Sequence, residues 1–168
     1  LIDRMKPIMS QYGLAPVQSG TAGRLSEKPP ELRPGSAVGI RLIGGDLNLT
    51  AIGTVTHRDG EEVYAFGHPF MEAGRLDAPM TGAYVHDIMP SLQLTFKLAD
   101  GMDTIGAFRY DRGSVVHGRY GAAADTIPFD IVINRRDIGA TGRYSYDIMR
   151  HEIFSPILVG MAAGISAE

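Results

Sequence analysis

The chain has 168 residues, 44% of them hydrophobic, and a formal net charge of −3. That length favours one domain, with or without an appendage, and the apolar content is enough for a core, which excludes wholesale disorder. The mixed charge offers no basic footprint for nucleic acid, no apolar run is long enough to span a membrane, and the lack of cysteine removes disulfides, thiolate catalysis and thiolate zinc sites together.

Residues 1–13 predict a short helix, since Ile2, Met5, Met9 and Tyr12 recur at helical steps and Gly13 is a natural stop, although Pro7 removes a backbone donor. Residues 14–35 read as a linker or strap, with Gly20, Gly23, Pro29, Pro30, Pro34 and Gly35 among polar residues and no apolar period to bury.

From residue 36 to 153 the pattern is β. Val38, Ile40 and Leu42 alternate with polar or small residues, Gly44-Gly45-Asp46 turns the chain, and Leu47 to His57 resumes a strand. Asp59-Gly60 predicts a two-residue hairpin turn, which sets Arg58 opposite Glu61, His57 opposite Glu62, Val55 opposite Tyr64 and Ala51 opposite His68. The partner strand is expected over Glu62 to Gly67, and Met71 to Met80, including Asp77-Ala78-Pro79, as a connecting loop.

Leu92, Leu94, Phe96 and Leu98 give a further strand ending at an Asp100-Gly101 turn. Thr104–Tyr110 and Ser114–Tyr120 predict a hairpin around Asp111-Arg112-Gly113, and Ile127–Ile133 and Tyr144–Ile148 flank a turn over Asn134–Gly139. The expected fold is all-β, a small closed or partly open barrel of about seven to eight strands. Ser155-Pro156 opens a short helix within a C-terminal segment 154–168.

Five histidines are present, His57, His68, His86, His117 and His151, and none forms a metal-ligand spacing, so no metal and no cofactor is expected, a zinc site assembled from separate strands being the alternative. His68 differs from the rest. It follows Gly67, which admits close approach, and precedes Pro69, which ends a ladder, so a rigid strand end would hold its imidazole where a general base needs fixed geometry and access. A plain strand-capping histidine is the other reading.

Pro34-Gly35-Ser36-Ala37-Val38-Gly39, Thr50-Ala51-Ile52-Gly53-Thr54-Val55-Thr56, Ala65-Phe66-Gly67-His68-Pro69-Phe70 and Ile105-Gly106 to His117-Gly118-Arg119-Tyr120-Gly121 together resemble the SpoIVB-type serine peptidase family, over about residues 34–135. The pairing of Gly-Thr-Val-Thr with Gly-His-Pro-Phe is the specific part. The resemblance implies a chymotrypsin-like fold, of which this chain is one half of a double barrel. It also implies a bacterial, exported protein, a Ser/His/Asp mechanism and His68 as the base, with Gly67, Pro69 and Thr54 as supporting or substrate-binding residues.

The family's Gly-Met-Ser-Gly-Ser-Pro segment and the aspartate before it do not occur in this sequence, and Gly160-Met161-Ala162-Ala163-Gly164 has alanine where the nucleophile belongs. Ser91, Ser114 and Ser145 as nucleophiles, and Asp87 and Asp130 as orienting acids, lie in no recognisable nucleophile context. The expectation is therefore a partial peptidase domain, inactive alone. Its partners would be the serine-bearing segment of the same parent protein and a peptide or protein substrate. Leu1 is not methionine and no signal peptide precedes it, in keeping with a piece of a longer protein. The competing readings are a non-catalytic peptide- or protein-binding barrel and a metal- or small-molecule-binding barrel.

Overall fold

The computed structural model describes residues 6–7, 9–12, 31–89 and 96–167. Eight antiparallel strands follow one another in it: β1 Ala37–Gly45, β2 Leu49–Asp59, β3 Glu62–Ala65, β4 Gly74–Met89, β5 Phe96–Arg112, β6 Val115–Tyr120, β7 Ile127–Arg135 and β8 Ala140–Ile148. One helix, α1, spans Phe154–Ser166.

The pairings run β1, β2, β3, β6, β5, β4 and back to β1, so six strands close into a ring. Closure leaves those six without a free edge. β8 meets β1 through Ile43–Gly45 and carries β7 on its other side, so these two strands extend the sheet as a ribbon beyond the ring. Tight closure depends on close backbone approach at Gly118, where a Cβ would stand 2.3 Å from the Ala107 carbonyl oxygen.

Val38, Ile40, Val55, Val63, Ala65, Met80, Phe108 and Val116 are buried in one cluster, which continues through Ile148 and Met149 to Phe154, Leu158, Met161 and Ala162 of α1. The helix is tied to the ribbon by a buried hydrogen bond between the Tyr146 and Ser166 hydroxyls at 2.7 Å. Pro156 is the third residue of α1 rather than the first, still in the turn whose N–H groups lack intrahelical partners.

Several expectations are corrected. The helix expected over 1–13 lies largely outside the described residues; within it Lys6, Pro7 and Met9 are helical and Ser10–Tyr12 form a 3-10 turn. Of the strap 14–35 only its end is described, and that end is docked. Leu32 is buried, its carbonyl accepts from the Arg58 guanidinium at 2.8 Å, and the Gly35 N–H donates to the Val55 carbonyl at 2.8 Å.

The β2–β3 turn is Gly60-Glu61, not Asp59-Gly60. Gly60 takes φ 57° as the first turn residue, so Asp59 pairs with Glu62, Arg58 with Val63 and His57 with Tyr64. The segment Asp77-Ala78-Pro79 is part of β4, not a loop. Pro79 pairs with Ala107 of β5 but lies outside the Met80–Gly82 stretch that pairs with β1, so its missing donor leaves no gap there.

Asp100-Gly101 is not a turn but lies within β5, where Gly101 makes room for Thr50: a Cβ there would meet the Thr50 hydroxyl at 2.8 Å. Likewise Asp111 and Arg112 end β5, and Gly113-Ser114 make the turn. Residues 90–95, including most of the strand expected around Leu92 and Leu94, lie outside the described residues.

Candidate functional site

β3 stops at Ala65 because the next two residues leave the extended region, Phe66 at φ 73° and Gly67 at φ 72°. Glycine enters that region freely, whereas for an L side chain it costs about 1–2 kcal/mol. Three contacts hold Phe66 there. Its N–H donates to the Thr54 carbonyl at 2.8 Å, its ring packs on Phe70 and Phe108, and it covers Gly53, where a Cβ would stand 2.7 Å from the ring. The glycine of Gly-Thr-Val-Thr and the phenylalanine of Phe-Gly-His-Pro-Phe are thus two halves of one fit.

This break carries His68 out of the strand, against the expectation of a strand reaching Gly67, although the imidazole still stands edge-on to the Phe66 ring at 6.0 Å. His68 stands on an exposed corner. Its Nδ1 lies 2.7 Å from the Pro69 carbonyl oxygen. A carbonyl can only accept, so Nδ1 carries a proton, and in the neutral ring Nε2 presents its lone pair. Gly67 is exposed and Pro69 half-buried. Thr54 supports the corner with its carbonyl, while its hydroxyl accepts from the Lys97 ammonium at 2.5 Å. Burial pushes the Lys97 ammonium below its ordinary range.

Behind the corner lies a fully buried carboxylate, Asp111 of β5. One oxygen accepts the Phe70 N–H at 2.7 Å, and the other accepts those of Met71 at 2.7 Å and Ala73 at 3.0 Å. The far end of the loop is held again by His151, whose Nε2–H donates to the Ala73 carbonyl at 2.9 Å. With Nε2 protonated, His151 Nδ1 accepts the N–H groups of Ile153 and Phe154 at 3.1 and 3.2 Å, at the entry to α1.

The sequence gives no warning of Asp111. The register shifts between Phe108 and Tyr110, and that irregularity moves Asp111 onto the buried side that simple alternation from Phe108 denies it. A His–Asp pair is hidden by the same kind of irregularity. His86 sits at a β4 irregularity between Val85 and Asp87, and its Nε2 is 2.8 Å from a carboxylate oxygen of Asp100, the residue expected in a turn.

The alternative nucleophiles and acids do not gather at His68. Ser114 is exposed in the β5–β6 turn, Ser145 lies on β8 with its N–H on Asp46, Asp87 accepts the Ile88 N–H, and Asp130 is exposed on β7. Ser91 lies outside the described residues. His117 is packed between Tyr64 and Tyr110, with Nε2 on Glu62 at 2.7 Å, and His57 tilts against Tyr64, a cross-strand ladder of rings. Among the described residues no three His, Asp or Glu side chains gather as a metal site requires, and no helix is long and apolar enough to cross a membrane.

No family model, curated protein or solved structure matches the chain.

Proposed function

We propose that this chain is the histidine-bearing part of a SpoIVB-like serine peptidase domain and that His68 is its general base. The observation that carries the reading is the imidazole itself: exposed, its Nδ1–H on the Pro69 carbonyl, its Nε2 lone pair open. In the complete site that nitrogen takes the proton of a serine hydroxyl as it attacks the peptide carbonyl, then delivers it to the leaving amine. The serine comes from outside these residues, since no serine segment of the family type occurs in the 168, and the Pro69 carbonyl takes the place at Nδ1–H that an acid holds in a complete triad.

The six-strand ring supports assigning the chain to one barrel of a chymotrypsin-like pair, with the cleft completed by the serine-bearing segment of the same parent. Gly67 and Pro69 serve by shaping the corner. Thr54 serves through its carbonyl, beneath Phe66. The proposed location is the cell envelope or exterior of a bacterium, and the proposed substrate a peptide or protein.

The chain alone should take up no serine-directed fluorophosphonate, whereas the full-length parent should label and hydrolyse peptide, and His68→Ala in that parent should abolish both. Full labelling of the His68→Ala parent would end the proposal. One observation favours a second reading, a non-catalytic peptide-binding module. Among the described residues β7 pairs only with β8, which leaves one edge open for an added strand. In that case the parent labels with no fluorophosphonate, and peptide binding is lost when β7 is blocked by proline.

A further inference from the structure

We propose that Asp111 is the positioning residue of the His68 corner: gripping the Phe70, Met71 and Ala73 amides, its carboxylate sets where the imidazole stands and keeps Nδ1 on the Pro69 carbonyl. The inference rests on reading His68 as the base, and it assigns that site the backbone support it needs.

A carboxylate with no exposed surface loses several kcal/mol of hydration on burial. No lysine or arginine among the described residues forms an ion pair with Asp111. What offsets the loss is three N–H bonds at 2.7, 2.7 and 3.0 Å, all from the loop that follows His68. An apolar side chain at this position would fill the interior without that loss, but it would leave the three amides without an acceptor. The charge is therefore spent on the loop's shape.

The loop is fixed at its other end by the Phe66 N–H on Thr54 and by the packing of Phe66 over Gly53. His68 stands between the two anchors, exposed on backbone that cannot shift without breaking one of them. A base needs this combination, a mobile proton on an immobile frame. Asp111 acts through the main chain, so its removal should alter the ring's tautomer and reach, not the cleft's affinity for substrate.

The test is Asp111→Asn, in this chain and in the parent. In the chain, ring-nitrogen NMR should find wild-type His68 in the Nδ1–H form and the variant in a mixture of Nδ1–H and Nε2–H. Amide exchange at Phe70, Met71 and Ala73 should rise about tenfold or more, while Val63 and Val116 stay protected. In the parent, kcat should fall about 100-fold with KM nearly unchanged, because misplacing a base affects the chemical step. A folded Asp111→Asn chain with unchanged His68 tautomer and unchanged exchange at the three amides overturns the proposal.

If Asp111→Asn does not fold, Asp111→Glu decides by the same two readouts. It keeps the charge but displaces it by one methylene, and unaltered His68 resonances would be equally fatal. His68→Ala separates the two ideas. A fully active His68→Ala parent removes the catalytic reading, whereas a normal NMR signature in the Asp111 variants removes only the positioning role.

Discussion

His68 and His151 each donate one imidazole proton to a main-chain carbonyl of the same loop, Pro69 for the first and Ala73 for the second. They differ in the other nitrogen. In His151 it accepts two N–H groups at the start of α1, so the ring is consumed as a fastener. In His68 it bonds to no described residue, and the ring is exposed with only its contact to the Phe66 ring recorded among the described rings. What a histidine can do is set by what its second nitrogen has left over. Neither neighbouring residue types nor overall exposure shows this.

Removing each ring in turn separates the two roles most directly. On the proposed peptidase reading, His68→Ala should lower the parent's kcat by about 1,000-fold or more. The same change should shift stability by less than about 0.5 kcal/mol in urea unfolding, as for an exposed side chain. A variant that unfolds instead would show that His68 belongs with His151 as a structural ring.

Next in size is the fit beneath the corner. Gly53→Ala places a methyl 2.7 Å from the Phe66 ring and should cost about 1–3 kcal/mol, read from the urea midpoint. Phe66→Leu in the Gly53→Ala background should recover part of it, because a smaller side chain yields the space.

His151→Ala removes an acceptor at the helix start and the partner of the Ala73 carbonyl, and should cost about 1–2 kcal/mol. His151→Asn should restore part of this through its own cap oxygen. Peptidase activity of the parent should fall far less than with His68→Ala, and an equal loss would erase the distinction between the two rings.

The smallest effect concerns Lys97, bonded to the Thr54 hydroxyl under the same corner. Burial lowers its ammonium below the ordinary 10.5, so the folded state releases that proton first. Its unfavourable contribution is full below the lowered value and fades as pH rises toward 10.5. Melting temperatures measured across the alkaline range should therefore show a small upward component in the wild type that Lys97→Met lacks.

Alternation made the strands legible. Val38, Ile40 and Leu42 are buried in β1, and Ile127, Phe129, Ile131 and Ile133 share the more buried face of β7, as period-two patterning requires. Parity counting fails where an extra residue enters the ladder. The irregularities around Tyr110 and His86 reverse which side chains turn inward, and they hid both Asp111 and the His86–Asp100 pair. The corner was half legible. Pro69 announced an end to the ladder, but the earlier break at Phe66 and Gly67 had no such signal, because only the distant Gly53 makes the left-handed Phe66 tenable. The β2–β3 turn slipped by one residue because Asp59-Gly60 and Gly60-Glu61 both place glycine in a two-residue loop.

Ala73 has both main-chain groups engaged, its N–H by a residue 38 positions later and its carbonyl by one 78 positions later. Such distant closures are made late when a chain folds, because each must wait for the intervening segments to arrive. On a ribosome, His68 would emerge before Asp111 and His151 and stay unanchored at this end until both had followed. The order of synthesis thus delays a rigid His68 corner until the later strands and the helix are in place.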